Sequence, residues 1–122
     1  MNTKENILIH DNLSWFGRTK TIVYKQGLAI VELEYDNAEP RSAEISRLLV
    51  HETTRGKGIG NELLKIAEEI ARQDGKQSIT IYADKTHPDI TLWYADNNYV
   101  IVDETKHQNK MIKNINTQQY EV

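Results

Sequence analysis

The sequence predicts an α+β fold with a mixed, mostly antiparallel central sheet and two main helices. Segments rich in β-branched residues fill the first half, and a strongly amphipathic helix follows them. A strand, a second helix and two further strands complete the order. A strand–helix–strand unit set among hairpins gives a mixed sheet. With 122 residues, of which 39% are hydrophobic, we expect a single domain over residues 1–122.

Four strands are predicted before the first helix, over residues 7–10, 21–25, 28–35 and 43–50. The dipeptide Gln26-Gly27 and the polar residues 36–40 mark turns between them. The fourth segment ends in Leu48-Leu49-Val50, a run typical of a strand that is buried on both faces.

Two helices are predicted in the second half. Residues 60–74 carry an apolar stripe at helical spacing, and Gly75 suits the position that ends such a helix. Glu68 and Arg72 form an i,i+4 pair that we expect on its water-facing side. Residues 88–97 form the second helix, with Pro88 in its first turn. Strands are predicted over residues 78–83, 99–102 and 110–115.

Composition excludes several classes of protein. The net charge of −3 argues against nucleic-acid binding through bulk charge and against a polybasic membrane-surface protein. No apolar run is long enough to cross a membrane, and no secretory signal is visible, so a cytoplasmic protein is expected. The chain has no cysteine, and its four histidines show no metal-ligand spacing, so no metal site is predicted.

The most informative segment is the glycine-rich stretch that joins the fourth strand to the first helix. It carries Gly56, Gly58 and Gly60 together with the cations Arg55 and Lys57. Glycines let backbone N–H groups approach a ligand, and a helix start adds unpaired donors and partial positive charge. The stretch therefore predicts a phosphate or pyrophosphate site, and an ordinary glycine-rich turn is the alternative.

Two common phosphate-binding motifs do not fit this stretch. The sequence Gly58-Ile59-Gly60-Asn61 lacks the Lys and the hydroxyl that end a P-loop. The glycines run Gly-x-Gly-x-Gly rather than Gly-x-Gly-x-x-Gly, and antiparallel strands precede them, unlike a dinucleotide-binding fold. A nucleotide-binding domain of another kind is kept as a weaker alternative.

Several segments resemble the GNAT family of N-acetyltransferases. Residues 55–60 match the family's Arg/Gln-x-x-Gly-x-Gly/Ala signature, and residues 43–51 resemble the strand that leads into it. Leu92-Trp93-Tyr94 followed by Asn98-Tyr99 resembles the family's Leu-Tyr-x-x-x-Gly-Phe pattern. The resemblance covers residues 43–115, with the closing strand around Met111.

The resemblance implies acetyl-CoA as co-substrate, with its pyrophosphate in the loop and its pantetheine arm along the fourth strand. In the family the fourth and fifth strands splay apart, and the N–H of Val50 would then contact the thioester oxyanion. His87 stands where the family commonly has an Asn that contacts the coenzyme. The predicted cofactor-binding residues are Leu48, Val50, Arg55, Gly56, Lys57, Gly58, Ile59, Gly60, Asn61 and His87.

Acetyl transfer to an amine needs a neutral nucleophile and a proton donor for the leaving thiolate. Tyr94 lies at the family's tyrosine position and is the predicted acid; a core aromatic is the alternative. Glu44 precedes Arg55 by eleven residues, the spacing of the glutamate base in histone-type members, and is the predicted base. A solvated strand glutamate, with waters acting as the base, is its alternative. Without a serine in an elbow motif, direct transfer in a ternary complex is expected.

The sequence departs from the family in three places. Asn98 replaces the usual glycine and is expected to keep the left-handed turn, and His87 replaces the family's Asn. Residues 11–18 are too short for the two helices that usually separate the first two strands, so this helix pair is predicted to be reduced or missing. The acceptor cleft should then be open and suit a protein lysine or another exposed primary amine. The alternative is a non-catalytic acyl-CoA-binding module with the same fold. The oligomeric state is left open.

Overall fold

A computed structural model describes residues 6–116 of the chain. Among these residues, seven strands and two α-helices follow the predicted order. The strands are β1 (Ile7–Ser14), β2 (Gly17–Tyr24), β3 (Ala29–Asp36), β4 (Ser42–Val50), β5 (Ser78–Asp84), β6 (Val100–Glu104) and β7 (Gln108–Asn114). The helices are α1 (Ile59–Gln73) and α2 (Pro88–Asp96).

All seven strands belong to one sheet in the order β1-β2-β3-β4-β5-β7-β6. Every neighbouring pair is antiparallel except β4 and β5, which are parallel and are connected through α1. A strand that must run in the same direction as its predecessor needs a long crossover, and α1 supplies it. The predicted mixed, mostly antiparallel sheet with two helices is confirmed.

Strands β1 and β2 form a tight hairpin with Trp15 and Phe16 at its tip. The hydroxyl of Ser14 donates to the carbonyl of Gly17, 3.1 Å away. Gly17 has to be glycine because an added Cβ would lie 1.9 Å from the carbonyl oxygen of Tyr35 on β3. The predicted absence of a helix pair between the first two strands is therefore confirmed, because the chain reverses there in a single turn.

The core lies between one face of the sheet and α1. The stripe of α1 that packs on the sheet includes Leu63, Leu64, Ala67 and Ala71, all of which are buried. Side chains of β2, β3, β4, β5 and β7 complete the same cluster. The helix ends as predicted, with Gly75 in the left-handed region at φ 84°. Asn98 also adopts a left-handed φ, 73°, so the turn after α2 is preserved without a glycine.

The expectation that Glu68 and Arg72 pair on the water-facing side of α1 is wrong. Glu68 is only 5% exposed, and its carboxylate accepts hydrogen bonds from the Tyr99 hydroxyl at 2.8 Å and the Lys113 ammonium at 3.0 Å. Arg72 pairs instead with Glu69 and donates to the carbonyl of Ile115. The polar side of α1 faces the end of β7 here, which helical periodicity alone does not reveal.

The expectation that the end of β4 is buried on both faces is also wrong. Leu49 is 53% exposed, and Leu48 and Val50 are half-buried. Leu49 pairs in register with Ile30 on β3, and it lies on the face of the sheet that α1 does not cover. No helix in the described part of the chain covers that second face, because β1 and β2 are joined by a hairpin turn and not by helices.

Candidate active site

The site is built where β4 and β5 part. The two strands pair only at Ser42–Ser78, Ala43–Ile79 and Glu44–Thr80. Beyond Glu44, β4 continues to Val50 while pairing, within residues 6–116, with β3 alone. The carboxyl-terminal half of β4 therefore leaves backbone groups free toward the gap, as an edge strand does.

A cavity of about 820 Å³ fills the widening gap, and we call it the loop cavity. The end of β4, the glycine-rich loop, the start of α1 and one side of α2 form its walls. Its lining residues are Leu48, Leu49, Val50, Thr54, Arg55, Gly56, Gly58, Ile59, Gly60, Asn61, Asp89, Ile90, Trp93 and Tyr94.

The loop presents backbone donors to this cavity. The ring nitrogen of His51 accepts from the N–H of Thr53 and orders a short 3₁₀ turn over Glu52–Thr54. Gly56 and Gly58 then take left-handed φ values of 78° and 79°. Gly58 is the N-cap of α1 and offers no side chain to bond the first turn, so helix N–H groups stay available at the cavity wall. This geometry fits an anion.

The two cations of the loop are placed differently. The Nε of Arg55 donates to the carbonyl of Val50 at 3.0 Å, which ties the loop to the end of β4. Arg55 forms no ion pair within the described residues and lines the cavity. Lys57 is exposed and is not among the lining residues. Arg55 is therefore the cation that the fold brings to the cavity.

Tyr94 lies in the wall formed by α2 and is 7% exposed. Its ring makes edge contacts with Trp93 and Tyr99, at centroid distances of 4.9 Å and 5.3 Å. Among residues 6–116 its hydroxyl has no hydrogen-bond partner. Burial raises the pKa of Tyr94 to about 12, so the phenol keeps its proton at neutral pH.

The two helices are joined beside the cavity through Asn97, at the end of α2. Its side-chain amide donates to the Asn61 side chain at 3.3 Å and to the carbonyl of Trp93 at 2.9 Å. Because Asn61 lies in the first turn of α1, this bridge fixes α2, and with it Tyr94, relative to the glycine-rich loop.

A second cavity, of about 260 Å³, lies around the point where β4 and β5 last pair, and we call it the acidic cavity. Its walls come from the β1–β2 hairpin, β3, β4, β5 and β7. Its lining residues are Ser14, Phe16, Gly17, Arg18, Thr19, Glu34, Tyr35, Asp36, Glu39, Ser42, Ala43, Glu44, Thr80, Tyr82 and Lys110.

Glu44 lies in this acidic cavity. Glu44 pairs in register with Glu34 on the neighbouring strand β3. Glu39 lies in the same cavity wall. Partial burial raises the pKa of Glu44 above its usual range, and the charges of Glu34 and Glu39 raise it further. A carboxylate with a raised pKa is a stronger base than an exposed one.

The structure brings most of the predicted site residues together. Tyr94 and the predicted cofactor-binding residues other than Lys57 and His87 line the loop cavity. His87 is exposed at the N-cap of α2 and makes no side-chain cap. The roles assigned to all these residues stay predictions.

Sequence reasoning missed several lining residues. The loop cavity is completed by Leu49, Thr54, Asp89, Ile90 and Trp93. Glu34 and Thr80 flank Glu44 in the acidic cavity because of strand register, which no local motif reveals. In the sequence, only the alternation of Glu32 and Glu34 with apolar residues indicates that β3 has a polar face.

Within residues 6–116, neither a metal-binding cluster nor a membrane-spanning helix is found. No three His, Asp or Glu side chains of that part of the chain are grouped to hold an ion. Neither of its helices is long and apolar enough to cross a bilayer.

The sequence matches the model of the acetyltransferase (GNAT) family over residues 9–97. No curated protein matches it in sequence.

Solved structures with the same fold include three acetyltransferases. The PaiA N-acetyltransferase of Thermoplasma acidophilum, in complex with coenzyme A, superposes with a TM-score of 0.68 at 22% identity, over 79% of this chain and 59% of that one. A GNAT family acetyltransferase of Elizabethkingia anophelis with acetyl-CoA bound superposes with a TM-score of 0.70 at 15% identity, over 90% of this chain and 99% of that one. The spermidine/spermine N-acetyltransferase SpeG of Vibrio cholerae superposes with a TM-score of 0.67 at 18% identity, over 84% of this chain and 66% of that one. The chain thus spans 59% of the length of the Thermoplasma protein.

Proposed function

This chain belongs to the acetyltransferase (GNAT) family, and on that premise we propose that it transfers an acetyl group from acetyl-CoA to a primary amine. The observation that carries the proposal is the loop cavity, which combines an uncapped helix start, left-handed glycines and a buried tyrosine in one gap between strands. The structures of the Thermoplasma and Elizabethkingia proteins hold coenzyme A and acetyl-CoA, which supports the same coenzyme here.

In the proposed complex the diphosphate of acetyl-CoA lies against the N–H groups at the start of α1. The helix dipole and the Arg55 guanidinium favour its negative charge. The pantetheine arm runs along β4 past Leu48 and Val50. At this level β4 pairs, within the described part of the chain, with β3 alone. An amide of β4 near Val50 then donates to the thioester oxygen and stabilises the oxyanion that develops during transfer.

The proposed chemistry is a direct transfer in a ternary complex. The ammonium of the acceptor first loses a proton to Glu44, directly or through a water. The neutral nitrogen attacks the thioester carbon, the C–N bond forms, and the C–S bond breaks. The departing sulfur takes the proton of Tyr94, which is later replaced from solvent, and the protonated amide nitrogen loses its remaining proton. Atoms and charge balance to an acetamide, coenzyme A and one released proton.

We propose an exposed amine as acceptor, on a protein lysine or a small molecule. The hairpin that replaces the helix pair leaves the second face of the sheet uncovered within the described residues, which supports an open approach. The Vibrio protein is a spermidine/spermine N-acetyltransferase, which supports an amine nitrogen as the acceptor. We also propose that residues 1–122 act as one domain, since a single core cluster links both halves of the sheet.

The variant Tyr94→Phe tests the proposal. We expect acetyl-CoA to bind with unchanged affinity by calorimetry, and kcat to fall about 100-fold, the usual contribution of a general acid. Tyr99→Phe is the matched control, because Tyr99 packs beside Tyr94 but its hydroxyl binds Glu68 and it does not line the cavity. It should keep kcat. Equal kcat in Tyr94→Phe and the wild type would remove the acid role.

The uncovered sheet face also favours a second candidate, a module that binds acyl-CoA without transferring the acyl group. It predicts saturable acetyl-CoA binding and no acetylated product across amines, polyamines and lysine peptides. A heat signal with acetyl-CoA and any acetylated product excludes it.

A further inference from the structure

The lysines of the chain differ in whether the fold gives their ammonium a partner. Five of those that the structure describes are half-buried. Four of the five hold a carboxylate or a backbone carbonyl: Lys20, Lys76, Lys85 and Lys113. Lys110 is the fifth, and its ammonium makes no hydrogen bond or ion pair with any residue in the described range 6–116. Such an ammonium needs an explanation, because withdrawing a charge from water is costly unless the charge is paired.

Lys110 belongs to the wall of the acidic cavity. It lies on β7 and is in register with Tyr82 on β5 and with Asp103 on β6. In the part of the chain that the structure describes, no ion pair joins Lys110 to Asp103. Tyr82 follows Thr80, the last residue of β5 that pairs with β4, by two positions. Lys110 is therefore anchored one strand away from the gap in which the site is built.

Lys110 and Glu44 project from the same face of the sheet. Glu44 is in register with Thr80, and Thr80 shares a face with Tyr82 because side chains alternate along a strand. Lys110 is in register with Tyr82 and takes that face as well. The opposite face of β5, with Ile81, is buried in the core. The Lys110 amine thus lies on the uncovered side of the sheet, beside the proposed base.

Strand geometry puts the ammonium within reach of the gap. Neighbouring strands lie about 4.8 Å apart, so β7 is one such step from β5. A lysine nitrogen stands at the end of a flexible four-carbon stem, which is long enough to cross β5 over Tyr82. The cavity, with a volume of about 260 Å³, leaves room for the stem to move. The ammonium can therefore enter the gap, where the proposed complex holds the thioester.

We propose that Lys110 is itself an acetyl acceptor, so that the protein acetylates its own chain at this residue. The inference rests on the proposed acetyl transfer and adds a modification site to it. The Lys110 ammonium loses a proton to Glu44, directly or through a water. Its neutral nitrogen attacks the thioester carbon, the C–N bond forms, the C–S bond breaks, and the sulfur takes the proton of Tyr94. After the amide nitrogen has lost its second proton and solvent has reprotonated Tyr94, the products are Nε-acetyl-lysine, coenzyme A and one released proton.

Reaction within one molecule favours Lys110 over a dissolved amine. The nucleophile is already attached to a strand beside the gap, so no second molecule has to be bound and oriented. Acetylation also removes the charge that lacks a partner, and the amide that replaces it is less costly to bury than an ammonium. Both the approach of the amine and the removal of its charge therefore favour the modified state.

Peptide mass spectrometry of the full chain, incubated with saturating isotope-labelled acetyl-CoA, tests this inference. Lys106 is the internal control: it is exposed, lies in the turn between β6 and β7, lines neither cavity, and so reports uncatalysed acetylation. We expect Lys110 to be acetylated at least tenfold faster than Lys106. The half-time should not change when the protein concentration is raised tenfold. Glu44→Gln should slow the reaction of Lys110 at least tenfold and leave that of Lys106 unchanged.

Further outcomes separate this inference from the proposed function. Equal rates at Lys110 and Lys106, with acetylation of added butylamine, overturn self-acetylation and keep the proposed transfer. A half-time that shortens in proportion to protein concentration overturns transfer within one molecule. Label at Lys110 without acetylated butylamine supports the inference and restricts the acceptor to the chain itself. If neither is labelled above the Lys106 background while calorimetry shows that acetyl-CoA binds, the proposed transfer is overturned as a whole.

Discussion

Replacing Gly58 by alanine tests whether the loop holds the coenzyme diphosphate. Gly58 has φ 79°, and an added Cβ would meet no protein atom within 4 Å. The cost to folding is therefore conformational alone, about 1 kcal/mol for a non-glycine residue in the left-handed region. Unfolding 122 residues has an entropy of about 0.26 kcal/mol/K, so the Tm should fall by ~4 °C. The methyl group occupies open space at the cavity wall and should weaken acetyl-CoA binding at least tenfold, or ~1.4 kcal/mol.

Gly75→Ala is the matched control for this experiment. Gly75 has φ 84°, its added Cβ also meets nothing, and it ends α1 far from the lining of the cavity. Thermal melts should show the same Tm loss in both variants, and calorimetry should show weaker acetyl-CoA binding in Gly58→Ala alone. If both variants bind acetyl-CoA as the wild type does, the loop does not hold the diphosphate.

Two further predictions concern charge and stability. Glu44→Gln should raise the Tm at neutral pH, because a carboxyl whose pKa is raised on folding loses stability as pH rises, and glutamine does not ionise. The gain should vanish below the ordinary value of 4.5, where Glu44 is protonated in both states. Lys113→Met should destabilise the fold by about 3 kcal/mol because it leaves Glu68 buried without its cation. Lys85→Met, which breaks an exposed pair, should cost under about 1 kcal/mol.

Both stability predictions are open to direct contradiction. Chemical denaturation that gives Lys113→Met and Lys85→Met the same free energy of unfolding would mean that Lys113 contributes no more than a surface ion pair. A Tm gain of Glu44→Gln that is the same on both sides of the ordinary carboxyl pKa would mean that ionisation of Glu44 does not affect folding.

The parts of the site that come from one continuous stretch could be predicted from the sequence. The glycine-rich loop and the start of α1 are adjacent in sequence, so residue types alone indicated an anion site there. The resemblance of residues 92–99 to the family pattern predicts Tyr94, and α2 places Tyr94 in the same cavity.

The parts that depend on strand register could not be predicted. Glu34 lies beside Glu44 because of the register in which β3 pairs with β4. Thr80 lies beside Glu44 because β5, which follows α1 in the chain, pairs with β4 in parallel. The same limit explains why Glu68 was wrongly predicted to face water. Its partners Tyr99 and Lys113 lie more than thirty residues later in the sequence. Helical spacing says which residues share a face, and it does not say what that face meets.

The early parting of β4 and β5 gives the sheet an edge in its interior, in addition to those of β1 and β6. Among the described residues 6–116, no strand pairs with the amide hydrogens on that inner edge of β4, so deuterium from solvent should replace them quickly in the empty protein. An extended molecule seated in the gap would act as an eighth strand and slow the exchange. Isotope uptake at residues 45–50 would thus report occupancy of the gap, whatever the chemistry that follows.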